Sequence, residues 1–256
     1  MIYNDFSYET YQALVTKLSK DRVNLRFSDF AVANFKIADN YFILRHDIDY
    51  SPDSALRMAE LEAGMNIQAC YFILFSSSFY NLFGDEYINF PKKLVEMGHE
   101  VGLHYDVNVY EKLGTVLEKP EILEAQIALL SQLAGKNVVS IAMHNPSVSG
   151  IDPFRKVRFV NAYDDEFTKG ATYFSDSCGA WRDDFEEHIL KDNFPPKIQL
   201  LIHPIFWDIQ ARNRWQTLDD FIANKKSKLS NEASEIITMW SKHSGVIQHE
   251  RRFVAK

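Results

Sequence analysis

Four histidines stand where an apolar run meets polar residues: Arg45-His46-Asp47-Ile48-Asp49, Gly102-Leu103-His104-Tyr105-Asp106, Met143-His144-Asn145-Pro146 and Leu201-Ile202-His203-Pro204. Imidazoles and carboxylates are the usual side-chain ligands of zinc and related ions, and they also carry protons in acid–base catalysis. Asp47 and Asp49 are two apart, so in extended chain they point to the same side. Carboxylates that close repel each other. A cation on one relieves the repulsion and leaves the other free as a base. The plainer reading of Asp49 is a cap for a helix opening at Ser51-Pro52. That reading leaves Asp47, Arg45 and His46 unexplained.

These residues need elements to bring them together. Each histidine follows or closes a stretch that reads as a buried strand: 41–44, 99–103, 138–143 and 198–202. A further apolar run, 70–75, and the short stretch 172–174 read the same way. Ser7-Tyr8-Glu9-Thr10 opens a helix over 7–20 with a capping-box pattern, and Ser51-Pro52-Asp53-Ser54 opens another that ends at Gly64. Helices are also expected over 91–97, 118–133 and 215–243, with 147–168 mostly loop. Strand alternating with helix implies an α/β fold with a mostly parallel sheet. In such folds the carboxyl ends of the strands share one edge, where ligands bind.

A lone histidine at a strand end is more often structural than a ligand. Three others at equivalent places reverse that balance for His104. His99 follows Gly98 at a helix-to-strand turn, belongs at the opposite end of the sheet, and reads as structural. His188, His243 and His249 carry no signal.

The chain of 256 residues, 46% hydrophobic, is long enough for one sizeable core and reads as a single domain over 1–256. Residues 1–39 are expected as a helical and loop extension and 215–256 as a helical tail. A formal charge of −7, with Lys225-Lys226-Ser227-Lys228 as its densest basic run, argues against a nucleic-acid partner. No signal peptide and no membrane span are visible, and the two cysteines, Cys70 and Cys178, exclude a disulfide framework. A cytoplasmic protein is the expectation; the oligomeric state is open.

Taken together, His46-Asp47-Ile48-Asp49 with Ser51-Pro52 and Ala55-Leu56, then Tyr71-Phe72, Gly98-His99-Glu100-Val101-Gly102-Leu103-His104, and Leu201-Ile202-His203-Pro204 resemble the polysaccharide deacetylase (NodB-homology, carbohydrate esterase family 4-like) superfamily. More narrowly they look like its cytoplasmic branch associated with bacterial surface-glycan (lipopolysaccharide or capsule) biosynthesis. The resemblance runs from about residue 40 to 208, and the Gly-His-Glu-Val-Gly-Leu-His segment is its most specific part. It implies a distorted (β/α) barrel and metal-dependent removal of an acyl group from an N-acylated sugar. It also implies Asp47 as base, Asp49 and His104 as metal ligands, and His203 as general acid.

Two departures stand out. The family's adjacent aspartates are separated here by Ile48, and its second metal-binding histidine, four after His104, is replaced by Asn108. His144 is the expected third ligand, standing where the family usually carries an arginine-proline motif; Asp106, Asn108 and His46 are the alternatives.

The set is chemically coherent. One divalent ion, zinc by its ligand types, held by three protein groups keeps positions open for water and a carbonyl oxygen. Asp47 can take a proton and His203 can give one to the leaving amine. Arg45, His46, Asp176, Trp181 and Arg182 are expected to contact substrate or support the site, with Asp176 holding His203 protonated. Core packing for Trp181 and a surface ion pair for Arg182 are the plainer alternatives. The expected function is a metal-dependent amide hydrolase acting on an N-acylated sugar or sugar nucleotide; the alternative is a non-catalytic barrel that binds a glycan or partner. An amidohydrolase of another class is disfavoured, because those barrels usually start with a His-x-His pair, absent here.

Overall fold

The computed structural model describes residues 5–112, 121–149, 152–155, 157–181, 185–191 and 193–244. The chain forms two compact units, residues 1–212 and 213–256. The second contributes one long helix, Arg214–Ser244.

Eight strands make one sheet: β1 (Val23–Leu25), β2 (Tyr41–Ile48), β3 (Ala69–Leu74), β4 (Glu100–Tyr105), β5 (Ser140–Met143), β6 (Val160–Asn161), β7 (Thr172–Ser175) and β8 (Lys197–Ile202). Their order is β6-β5-β4-β3-β2-β8-β7, with β1 beside the start of β2, and every pairing is parallel. Helices fill the crossovers. Ser51 caps the helix Pro52–Gly64 by accepting from Ser54 N at 3.1 Å, and Ser7 caps Tyr8–Leu18 through Thr10 N at 3.2 Å. Both starts are where the capping residues place them.

The sheet curls into a half-barrel, and a single contact proves it. Arg45 lies in β2 and Tyr163 just beyond β6, four strands away. In a flat sheet that is about 19 Å. Yet Arg45 Nη2 donates to the Tyr163 hydroxyl at 3.0 Å, and Gln199 of β8 donates to Ala162 O at 3.0 Å. Only a rolled sheet brings these side chains across its concave face. The inner core there includes Ile43, Cys70, Phe72, Ala142 and Phe167. At Gly102 a Cβ would lie 2.4 Å from the Phe72 ring, so glycine gives that ring its room beneath the site. Among the described residues β6 and β7 do not pair, and the barrel is open between them.

Three local expectations change. The strand that starts at Tyr41, β2, runs on to Ile48 instead of stopping at 44. Arg45 and Asp47 neutralise each other, so charged residues can continue a buried strand. The segment before residue 39 is not helix and loop alone: Val23–Leu25 joins the sheet, too short to show a period. The stretch 147–168 holds β6, and a helix, Phe185–Lys191, precedes β8.

Candidate metal-binding active site

Strand alternation decides which β2 residues reach the site. Arg45, Asp47 and, just past the strand, Asp49 share the concave face. His104 follows from β4, His144 from the end of β5 and His203 from the end of β8. His144 N continues the ladder by donating to Tyr105 O at 2.8 Å, and Asn145 (φ 47°) then turns the chain away. The five side chains Asp47, Asp49, His104, His144 and His203 line one cavity of about 380 Å³.

Asp49, His104 and His144 form the three-ligand group. Asp49 Oδ1 is 3.3 Å from His104 Nε2 and 3.3 Å from His144 Nδ1, and the two nitrogens are 3.2 Å apart. A tetrahedral ion with bonds of 2.0–2.1 Å has ligand atoms about 3.3–3.4 Å apart. The triangle has the spacing of one face of that tetrahedron.

The chemistry of the donors fits as well. His104 Nδ1 lies 2.9 Å from Ala142 O, which can only accept, so the proton sits on Nδ1 and Nε2 offers its lone pair. The Asn145 side-chain amide nitrogen lies 2.8 Å from His144 Nε2, so turning that amide over would set its oxygen to accept the proton that ligation through Nδ1 leaves there. Asp49 Oδ1 is buried without a hydrogen-bond partner. Burial pushes the Asp49 carboxyl up, but the His104 and His144 imidazoles outweigh it and hold the group well below the usual range. His144 moves the opposite way: burial lowers it and Asp49 more than restores it.

Beside this group, Arg45 is fully buried and forks onto Asp47, Nε to Oδ1 at 2.9 Å and Nη2 to Oδ2 at 2.8 Å. Desolvation raises the Asp47 carboxyl, and the Arg45 guanidinium together with His104 and His203 more than cancels it, leaving Asp47 below its ordinary value. Asp47 Oδ2 is 3.5 Å from His104 Nε2.

On the other flank His203 Nε2 faces Asp49 Oδ2 at 3.9 Å. Its Nδ1 is 2.7 Å from Asp176 Oδ1, and its backbone N–H donates to the same carboxylate at 2.9 Å. Trp207 Nε1 donates to Asp176 Oδ2 at 2.9 Å. Burial lowers the imidazole's pKa, but Asp176 first, then Asp49 and Asp47, push it up to about 9. Asp176 thus stands where it can hold His203 protonated.

The remaining expected residues are placed differently. His46 points through the opposite face of β2 and leaves the cavity altogether. Its Nε2 meets Glu62 Oε1 at 2.7 Å, in a buried cluster where Tyr71 donates to Glu62 Oε2 at 2.7 Å and Tyr11 to Oε1. Arg45 touches Asp47 and not the open cavity. Trp181 packs on Phe185 (centroids 4.2 Å), Phe6 and Trp207, the core packing that was its plainer alternative. Arg182 lies outside the described residues. Asp106 is occupied by Asn108, which donates to it from its backbone N at 3.0 Å and its side chain at 3.2 Å. His99 bridges Ala59 O and Ala69 N, buried and structural. Tyr50, Tyr163, Tyr173 and Ser175 also line the cavity with no mark in the sequence: Tyr163 follows β6 and Tyr173 and Ser175 lie in β7, strands too short to show a pattern, and Tyr50 lies beyond the end of β2.

Neither a protein-family model nor a curated protein sequence matches the chain. Similar solved structures are carbohydrate esterase family 4 proteins and polysaccharide or peptidoglycan deacetylases. A family 4 pseudoenzyme from Bacillus anthracis is 17% identical with a TM-score of 0.41, over 73% of this chain and 60% of that one. The polysaccharide deacetylase Bc1974 from Bacillus cereus is 14% identical at TM-score 0.43, over 74% and 88%. The peptidoglycan deacetylase PdaC from Bacillus subtilis is 13% identical at 0.43, over 80% and 100%. The chain spans three fifths of the length of the pseudoenzyme. No helix of the described residues is long and apolar enough to cross a membrane.

Proposed function

We propose that the protein is a metal-dependent amide hydrolase that removes the acyl group from an N-acylated sugar or sugar nucleotide. We place it in bacterial surface-polysaccharide biosynthesis, in the cytoplasm. The chemistry rests on one observation: ligand atoms at tetrahedral spacing share a cavity with a clamped carboxylate and a carboxylate-backed imidazole. The sugar and the setting rest on the sequence resemblance. A divalent cation, zinc by ligand type, held by Asp49, His104 and His144 would lower the pKa of water and polarise an amide carbonyl.

The chain's own groups do the rest. Arg45 fixes Asp47 in place, and Asp47 receives a proton at its carboxylate. His203 enters the cycle protonated, because Asp176 stabilises the imidazolium. With Nδ1 held by that carboxylate, Nε2 is the nitrogen left to protonate the departing amine. Leu201 and Phe206 make part of the cavity wall and limit water. A volume of about 380 Å³ sits at the low end for small-molecule sites, suited to one sugar ring.

Acetate or formate release from a panel of N-acylated sugars and sugar nucleotides, with and without added zinc, tests the proposal. Release should require metal and should be lost in Asp47→Asn and His203→Ala, both of which keep the metal. One observation favours the second reading, a non-catalytic binding barrel. Arg45 engages both Asp47 oxygens and weakens that carboxylate as a base. Metal-loaded protein that binds a panel sugar tightly yet releases nothing would decide for it.

A further inference from the structure

The helix Arg214–Ser244 makes up the second compact unit, and its 31 residues span about 46 Å. Helices in water owe most of their stability to covering an apolar face, and this one carries a long face of that kind. Leu218, Ile222, Leu229, Ala233, Ile236 and Trp240 follow one another at spacings of 4, 7, 4, 3 and 4 residues. At about 100° per residue they fall within roughly 60° of arc. The pattern recurs after 11 residues, from Leu218 to Leu229 to Trp240 and from Ile222 to Ala233, so it stays on one side of a nearly straight helix. Ile222 is 54% exposed, Leu229 70% and Trp240 62%, and every residue from 226 to 240 is exposed. A contiguous apolar stripe of this length in solvent marks an interaction surface.

We propose that a second copy of this chain covers the stripe, the two helices packing antiparallel with Leu229 at the two-fold axis. The order of residues is that of a surface made to meet itself. Reversed about Leu229, the stripe maps onto itself: Leu218 falls opposite Trp240, Ile222 opposite Ile236, and Lys225 opposite Ala233. The one charged residue on the stripe thus meets the smallest, and its stem has room to lie across it. The flanking charges agree. Lys225 and Lys228 lie on the side of the stripe that also carries Glu232 and Glu235. Antiparallel packing sets those lysines beside the same glutamates of the second copy, whereas a parallel pair sets Lys225 against Lys225. The stripe offers on the order of 700 Å² per copy, and stable interfaces bury about 1,200–2,000 Å² in all. Five basic residues against four acidic ones leave the helix close to neutral, unlike the basic helices that lie on anionic membranes. The pairing is independent of the hydrolase reading.

Sedimentation equilibrium on the full-length protein across the micromolar range tests this, with a mass twice that of the chain expected. Leu229→Glu puts two like charges at the axis and should raise the dissociation constant about a hundredfold or more. Lys225→Glu with Lys228→Glu should weaken the dimer roughly tenfold, and adding Glu232→Lys and Glu235→Lys should restore it. Cooperative urea unfolding like the parent's shows that each variant folds. Disulfide cross-linking reads the direction of the helices, in a Cys178→Ala background because Cys178 is exposed. Ile222→Cys should cross-link to Ile236→Cys when the two variants are mixed, and neither should cross-link to itself. A monomer throughout the range overturns the proposal, whether another segment of the chain, a different protein or a membrane covers the stripe. A dimer that Leu229→Glu leaves intact overturns it as well. Ile222→Cys linked to itself, or charge reversal that restores nothing, overturns the antiparallel pairing.

Discussion

Arg45 and Asp47, two residues apart on one face of β2, are joined by a two-pronged ion pair with both partners buried. The pair orients the carboxylate and keeps it anionic, and it makes that carboxylate a weaker base than a free aspartate. Arg45→Lys cannot fork onto both oxygens. Its acid limb in a pH–rate profile should therefore move to higher pH, since the depressed Asp47 pKa relaxes upward, and the maximal rate should fall. Arg45→Ala leaves a buried carboxylate alone and should cost about 3–5 kcal/mol in urea unfolding. An unmoved acid limb in the lysine variant would separate Asp47 from the rate.

Metal analysis and calorimetry should find one divalent ion per chain, lost in Asp49→Asn, His104→Ala and His144→Ala. Zinc at a hundred times its dissociation constant should stabilise the fold by about 2.7 kcal/mol. For a chain this size that corresponds to roughly 2–4 °C in Tm per kcal/mol. The gain should vanish in His104→Ala. Full affinity in His144→Ala would reopen the third ligand.

His203 should titrate near pH 9 in the metal-free protein, followed by the NMR shift of its ring carbon proton. Its folded pKa lies above its unfolded value near 6.5. The stabilisation is therefore complete below about pH 6.5 and is lost as pH rises through about 9. Asp176→Asn should bring the titration down and shift any alkaline limb of activity with it. Loading the cation should also lower it, because Asp49 and Asp47 contribute to the upward shift.

His46→Ala should leave metal content intact and destabilise the protein, because His46 faces Glu62 and not the cavity. Glu62→Leu should likewise cost about 1–3 kcal/mol for each buried donor it strands. Metal loss without loss of stability in His46→Ala would return His46 to the ligand group.

Much of this was legible along the chain because its causes are local. Helix starts follow from Ser7 and Ser51, whose hydroxyls take up backbone N–H groups within three residues. The shared direction of Asp47 and Asp49 follows from the period of two in extended chain, and apolar runs ending in histidine mark strand ends that gather at one edge. The tertiary structure alone decided the partners. The same period of two that aligns the aspartates turns His46 outward to Glu62, but only the placement of the covering helix shows what waits there. His144 joins Asp49 and His104, while Asp106 is engaged by Asn108, because the β4–β5 register sets His144 beside them. Arg45 meets Tyr163 across four strands only because the sheet rolls. Register and curvature come from packing over the whole core, and no short stretch of sequence carries them.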